Sequence, residues 1–475
     1  MAKFDTRVQE LKYSVLKEVI KFLDDETKSD GDALSIADKI IPGRKPTFRC
    51  CVYKEKAIVN ERVKLILNAK TKEDSNVVQV IPIACDECPL GGYTVTDSCR
   101  GCIAHRCIEA CPKKCITFAS DLKAHIDKSQ CVNCGMCAKA CPYQAIENRI
   151  RPCERACKQK AISPNPETSA AMINDEKCIH CGACVYTCPF GAIVDVSYIK
   201  DILNILKNKK EGEKVYAIVA PSIGGNFHDV KTGQVMSAIK KIGFDDVVEA
   251  ALGADMVALE ESKELVERGI LTSSCCPAFA SYIRKFYPDL TKFISSSLSP
   301  MAEIAKFIKN GNPNSKVIFI GPCTAKKSEI KNEKVSPYVD SVMTFEELQA
   351  LIDARNIDLK SCEDVEYAKG SQFGRGFAKC GGLSKAVNEA LKEKGIDFDV
   401  KGLSVDGIDN IKKALLEIKK ENPTINFIEG MACEGGCIGG PCNLQHNVKS
   451  KIMVDKFSNE GGKSISETIE KEGNL

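Results

Sequence analysis

Two short stretches of this chain repeat one cysteine pattern: Cys131-x2-Cys134-x2-Cys137-x3-Cys141-Pro142 and Cys178-x2-Cys181-x2-Cys184-x3-Cys188-Pro189. A chain that folds around such runs must turn tightly enough to aim several thiols at one point. The small residues Gly135, Ala138, Gly182 and Ala183 permit that turn. The runs belong to a wider concentration: of 27 cysteines in 475 residues, nineteen lie between Cys50 and Cys188. The first twenty residues carry charges throughout and lack the apolar core of a secretory signal. No apolar run approaches the roughly 18 residues a membrane span needs. The expectation is a cytoplasmic protein, where thiols stay reduced and abundant cysteine means metal. Lys+Arg number 67 and Asp+Glu 64, a net charge of +3, which argues against nucleic acid as partner.

Each regular run matches the spacing of bacterial two-cluster ferredoxins in every cysteine. Zinc ribbons set two CxxC pairs apart and do not produce two tandem four-cysteine runs. The fourth cysteine, before proline, points away to the other cluster. The two runs taken together therefore predict one [4Fe-4S] cluster on Cys131, Cys134, Cys137 and Cys188, and another on Cys178, Cys181, Cys184 and Cys141. A less regular run, Cys99-x2-Cys102-x4-Cys107-x3-Cys111-Pro112, suggests a third cluster on Cys99, Cys102, Cys107 and either Cys111 or Cys157. Cys85-x2-Cys88, with Cys111 and Cys153 left over, would supply a fourth. Cys50 and Cys51 have no partner spacing and read as structural.

Periodicity divides the chain into four regions. Residues 1–80 carry a helix at about 6–23, with Val8, Leu11, Val15, Val19 and Phe22 on one face. Residues 81–125 are a cysteine-rich region. Residues 126–200 are a two-cluster ferredoxin domain. Residues 210–475 alternate short apolar strands (KVYAIVA, RGILTS, KVIFIG, INFIEG) with amphipathic helices, the pattern of an α/β domain with a mainly parallel sheet. The last region's cysteines fall at strand ends, in ILTSSCCPAF, KVIFIGPCTAKKSE and INFIEGMACEGGC, and open parallel sheets bind ligands beyond the carboxyl ends of their strands. Cys276, Cys323, Cys433 and Cys437 supply four thiolates there, enough for a further [4Fe-4S] cluster.

Three segments carry a resemblance to the [FeFe] hydrogenases: Ser273-Ser274-Cys275-Cys276-Pro277-Ala278-Phe279, Gly321-Pro322-Cys323-Thr324-Ala325-Lys326-Lys327-Ser328-Glu329, and Glu429-Gly430-Met431-Ala432-Cys433-Glu434-Gly435-Gly436-Cys437. Region two and Pro441-Cys442 resemble the group B branch of that family. The resemblance implies a fold of α+β and α/β domains, a ferredoxin-like Fe–S module followed by an iron-hydrogenase catalytic domain with mainly parallel sheets. It also implies the H-cluster, a cubane joined to a two-iron subsite with CO, cyanide and a bridging dithiolate amine. By matched position Cys276, Cys323, Cys433 and Cys437 would hold it, Cys437 bridging. Lys326 would donate to one cyanide, Pro221 and Ser222 would approach the other, and Met431 and Phe377 would line the pocket. The sequence departs from the better-studied pattern at Gly321, Ala278, Phe279, Met301 and Cys380.

Glu261, Glu264 and Arg268 repeat at helical steps and share a face, which by itself describes a solvated stripe. The family pattern, counted from Cys275, implies a proton path through Glu264, Ser295, Glu261 and Cys275. The function so implied is reversible conversion of two protons and two electrons into H2, with a soluble ferredoxin or flavodoxin as electron partner and maturation proteins supplying the two-iron subsite. No GxGxxG follows a strand in βαβ context, so direct NAD binding is not indicated. A hydrogenase-like Fe–S assembly scaffold and an H2 sensor are the rivals from other functional classes.

Overall fold

The computed structural model describes residues 4–67, 76–86, 88 and 91–473. The α/β region is built on two all-parallel sheets. One has the strand order Asp246–Glu249, Val215–Val219, Lys316–Gly321, Ser341–Thr344. The other has the order Leu271–Thr272, Phe427–Met431, Gly402–Asp406. Val215–Val219 is buried at every position, as a parallel strand covered by helices on both faces must be. The predicted helices are present: Ala250–Arg268, Pro277–Phe286, Pro300–Gly311, Phe345–Ala354 and Gly382–Glu393.

The amino-terminal helix runs Arg7–Asp24, with the Thr6 hydroxyl accepting from the Gln9 amide as N-cap. It is not a separate unit. Val15, Leu16, Val19 and Ile20 are buried in the same core as the large sheet, beside Phe345 and Leu348 of helix Phe345–Ala354. Each such fully buried aliphatic side chain stabilises the docking by roughly 1.5–3 kcal/mol. Buried charges mark the same junction. Lys327 Nζ lies 2.7 Å from Asp195 and 3.0 Å from Glu347, while Lys12 bonds both Asp195 and Glu346. The two ammonium groups hold the Asp195 carboxyl well below the usual carboxylate range, against the opposing effect of burial. Breaking one partner would strand a buried charge, so the network fixes how helix, ferredoxin region and sheet meet.

The cysteine-rich region differs from the expected serial arrangement. Strand Gly92–Val95 pairs antiparallel with Ile146–Arg149, and Ile116–Phe118 pairs with Ala124–Ile126. Residues 92–149 thus form one closed unit, and the expected boundary at 125/126 falls inside one of its strands. Around it, Val78–Val80 pairs with Ile193–Asp195, and Ile162–Pro164 pairs with Ala171–Ile173. A second unit of the same strand order therefore begins before the first and closes after it. The divisions 81–125 and 126–200 give way to a unit nested within another. Spacing within a run is local, whereas the pairing that closes a unit joins strands some 50 to 115 residues apart in the chain, which no local pattern shows.

Candidate metal centre and proton relay

Four thiols meet where the two parallel sheets present their carboxyl ends. Cys276 follows strand Leu271–Thr272 and caps helix Pro277–Phe286; Cys323 follows Lys316–Gly321 and caps helix Thr324–Glu329. Cys433 follows strand Phe427–Met431, and Cys437 lies in the short turn Gly436–Gly439. Gly436 has φ +71°, and a Cβ there would stand 2.7 Å from the Met431 sulfur and 2.9 Å from the Ala378 carbonyl, so glycine is required for the turn to close on this site. All four cysteines line one cavity with Pro221, Met301, Phe377 and Met431. Cys437 is exposed and lines that cavity.

Burial pushes the thiols of Cys323 and Cys437 up to about 12, and the neighbouring cysteines add to the shift. Cys433 is pushed up by the same causes. These three thiols resist ionising without a cation; iron reverses this by taking each as thiolate. The rest of the pocket also fits such a group. The Ser222 hydroxyl, next in the chain to the lining residue Pro221 but not itself on the cavity wall, is buried and has no hydrogen-bond partner among the described residues. Lys326 Nζ donates to Ser299 Oγ at 2.7 Å and to Glu329 Oε2 at 2.6 Å while lining the cavity, so one of its three protons remains for a ligand. Sequence reasoning had not singled out Ser299 or Glu329; the run Lys326-x2-Glu329 at helical spacing was the available signal.

A line of acids and hydroxyls runs from the surface to this cavity. Arg268 bonds Glu264, whose carboxylate accepts from the Ser295 hydroxyl at 2.8 Å and the Ser296 amide at 3.0 Å. Glu264 is held below the usual glutamate range, with these donors outweighing burial. Ser295 also lies close enough to Glu261 to lower it, although its single proton points to Glu264. Glu261 is fully buried, accepts from the Ser274 amide at 3.0 Å and the Ser274 hydroxyl at 3.1 Å, and is pushed up to about 7 by burial. Its second oxygen has no hydrogen-bond partner among the described residues. Cys275 is next, lining the cavity beside Cys276. The structure brings Glu264, Ser295, Glu261 and Cys275 together in that order and adds Ser274, which was visible only as part of the first cysteine segment.

The ferredoxin thiols are grouped differently from the sequence expectation. Cys111, Cys131, Cys134 and Cys137 line one pocket, where the sequence expectation put Cys188 with the Cys131 run. Cys178, Cys181 and Cys184 all face Cys157, not Cys141. Cys107 faces Cys141 and Cys102, where the sequence expectation offered Cys111 or Cys157. Cys88 and Cys153 both face Cys85 and Cys188, where the sequence expectation set Cys85 and Cys88 with Cys111 and Cys153. Cys50 and Cys51 are exposed and stand apart from all of these groups. The Cys178 group lies against the four-thiol cavity. Thr324 Oγ1 donates to the His180 carbonyl at 2.8 Å, and Cys181 is influenced by Cys276. A Cβ on Gly182 would stand 2.4 Å from the Thr324 hydroxyl.

Comparison with known proteins follows the same division. Residues 213–441 match the family described as iron only hydrogenase large subunit, C-terminal domain. Residues 151–192 match a 4Fe-4S dicluster domain, and residues 123–146 match a 4Fe-4S binding domain. Iron hydrogenase 1 of Clostridium pasteurianum is 29% identical over 70% of this chain, and the match spans 66% of that protein, just under two thirds. The cytosolic Fe-S cluster assembly factor NAR1 of Eremothecium gossypii is 32% identical over 24% of this chain and 27% of its own length. A solved [FeFe]-hydrogenase chain shares the fold at a TM-score of 0.50 and 20% identity, over 58% of this chain and 93% of that one. No helix among the described residues is long and apolar enough to cross a membrane. A four-thiol centre at the strand ends of this domain, with 4Fe-4S domains joined to it in one chain, makes this an iron-only-hydrogenase-like iron–sulfur protein.

Proposed function

We propose that this protein is an [FeFe] hydrogenase, interconverting H2 with two protons and two electrons. The observation that supports it is the line Glu264, Ser295, Glu261, Ser274 and Cys275: Ser295 is bonded to Glu264 and lies beside Glu261, Ser274 is bonded to Glu261, and Cys275 stands on the wall of the four-thiol cavity. A structural Fe–S site has no use for such a line. Cys276, Cys323, Cys433 and Cys437 would hold the H-cluster, which supplies the redox metal and an amine that takes up and releases protons.

The chain's own residues do the rest. Glu264 collects a proton at the half-buried outer end. The Ser295 hydroxyl turns from Glu264 to the free oxygen of Glu261 and hands a proton inward. Glu261, near neutrality through burial, accepts and releases at working pH. Cys275 delivers the proton into the cavity. Lys326 and Ser222 offer donors to the cyanides, a charge-assisted bond that a dry pocket strengthens. Pro221, Met301, Phe377 and Met431 keep water out. Electrons come through the ferredoxin thiol groups, in our reading from a soluble ferredoxin or flavodoxin, and maturation proteins install the two-iron subsite.

The similarity to the assembly factor favours a second reading, a scaffold with the cubane alone. Infrared spectroscopy after loading with the two-iron cofactor decides between them. CO and cyanide bands together with H2 turnover are expected. A cubane signal with neither bands nor turnover would establish the scaffold.

A further inference from the structure

The nested unit at residues 92–149 repeats every feature of the unit that encloses it. In the inner unit a strand (Gly92–Val95) leads to the Cys99, Cys102, Cys107 loop, a short helix (Arg106–Glu109) and Cys111-Pro112. A hairpin and a second loop, helix (Met136–Ala140) and Cys141-Pro142 follow, and strand Ile146–Arg149 closes on the first. In the enclosing unit strand Val78–Val80 leads to Cys85 and Cys88, and the chain then departs through the entire inner unit. It returns at helix Pro152–Ala156 with Cys153 and Cys157, and continues through its own hairpin, Cys178 loop, helix Ala183–Thr187 and Cys188-Pro189. The irregular spacing of Cys85-x2-Cys88 and Cys153-x3-Cys157 is thus a single run, Cys-x2-Cys…Cys-x3-Cys, opened by an insertion.

A finer signature marks the last cysteine of each run. The backbone amide four residues on donates to its sulfur: Ala145 to Cys141 at 3.4 Å, Ala161 to Cys157 at 3.2 Å, Ala192 to Cys188 at 3.3 Å, and Cys115 to Cys111. Four runs therefore share one thiolate-supporting turn. In this topology the last cysteine of one run crosses to the cluster of the other run in its unit.

We propose that the chain carries four accessory [4Fe-4S] clusters in two nested, internally crossed pairs. The inner unit holds one on Cys99, Cys102, Cys107 and Cys141 and one on Cys131, Cys134, Cys137 and Cys111. The enclosing unit holds one on Cys85, Cys88, Cys153 and Cys188 and one on Cys178, Cys181, Cys184 and Cys157. The order along the wire follows from the junctions. The Cys178 group abuts the cavity through Thr324 and His180. The Cys131 loop sits at the point of insertion, where Asn133 accepts from the Tyr93 amide and a Cβ on Gly92 would strike it. The Cys99 group follows the far end of strand Gly92–Val95, away from the point of insertion, so in this order it is the cluster farthest along the wire from the cavity. The proposal deepens the electron-supply part of the proposed function, and it rests on the iron–sulfur character of the chain, not on H2 turnover.

The test uses the full chain, isolated without oxygen and before two-iron loading, with iron and acid-labile sulfide counted and the reduced clusters followed by electron paramagnetic resonance. Four accessory cubanes and the cavity cubane amount to about twenty irons; sixteen or fewer overturns the proposal. Crossing is read from pairs of variants. Cys107→Ala with Cys141→Ala removes one cluster, about four irons, no more than either alone. Cys107→Ala with Cys111→Ala removes two, about eight. The reverse pattern, eight for the first pair and four for the second, would show that each run closes on itself and would overturn the crossed assignment. The resonance of the Cys178 group persists in both pairs, which separates cluster loss from unfolding. Absent H2 turnover after subsequent two-iron loading, in a chain that held about twenty irons before it, would count against the hydrogenase reading and leave this one standing.

Discussion

The Ser274 amide and hydroxyl both donate to the same oxygen of Glu261, at 3.0 and 3.1 Å, and leave the other oxygen buried and unpartnered. One side of the carboxyl is thereby clamped while the other is free to exchange a proton. Clamping by two donors favours the ionised form; burial opposes it more strongly and brings the group to about 7.

Glu261→Gln keeps the Ser274 bonds, since the amide carbonyl still accepts, but cannot pass a proton. Turnover is expected to fall by about 10²–10⁴, the range for loss of a general acid–base step. Iron content and infrared bands should hold. H2 assay beside iron analysis checks this, and unimpaired turnover would remove Glu261 from the path.

The raised Glu261 has a defined pH signature. Above its ordinary value of 4.5 the folded protein holds a proton that the unfolded chain has released, so the group's stabilising contribution is complete below 4.5 and lost as pH rises through about 7. Glu264, lowered, behaves oppositely: its contribution is present above 4.5 and lost as pH falls through its depressed value. Difference infrared spectra in H2O and D2O should show a protonated-carboxyl stretch at pH 6 that fades by pH 8 and is missing in Glu261→Gln. A Glu261 already ionised at pH 6 contradicts the burial argument.

Adjacent cysteines should separate into two roles. Cys275→Ala removes a proton carrier and no ligand, so turnover should drop by orders of magnitude with metal retained. Cys276→Ala should lose the cavity cubane. If iron is lost from the first variant and kept in the second, the assignments of the two residues exchange.

Lys326→Asn takes a charged donor from the cavity wall and leaves Glu329 without its ion pair. The four cubane thiols are untouched. Retention of the two-iron subsite should weaken, with a loss of up to about two irons per chain and shifted cyanide bands. Ser222→Ala should shift the cyanide bands by a smaller amount, because a neutral hydroxyl bond is weaker than a charge-assisted one. Bands unmoved in both variants would leave these donors without the assigned ligands.

Gly182 tests the junction between ferredoxin and catalytic regions. Its φ of +74° and the Thr324 hydroxyl 2.4 Å from any Cβ leave no room for a side chain. Gly182→Ala should cost about 1–2 kcal/mol in backbone strain alone and push the Cys178 loop from the cavity. The expected result is a several-fold slower reduction of the cavity centre by an external donor, at full iron content, in stopped-flow absorbance. Unchanged kinetics would place the electron path elsewhere.

The sequence by itself determined what is local. Helix Arg7–Asp24, the strands KVYAIVA and KVIFIG, the four cysteines at strand ends and the thiol spacing of each run all follow from periodicity or short-range geometry. Their common reason is that a turn, a cap or an alternating face is set by neighbours within a few residues. Tertiary structure alone decided which sulfurs lie together. Cys111 lies beside the Cys131 run, and Cys157 beside the Cys178 run, because antiparallel strands remote in sequence pair across each unit, and the unit at residues 92–149 sits inside the other. It decided that the amino-terminal helix belongs to the core of the large sheet, since an apolar stripe does not name the surface it will cover. The same is true of Glu261: helical spacing puts it on a face with Glu264, and only the fold buries that face to different depths, raising one carboxyl to about 7 and leaving the other half-buried and below the usual glutamate range.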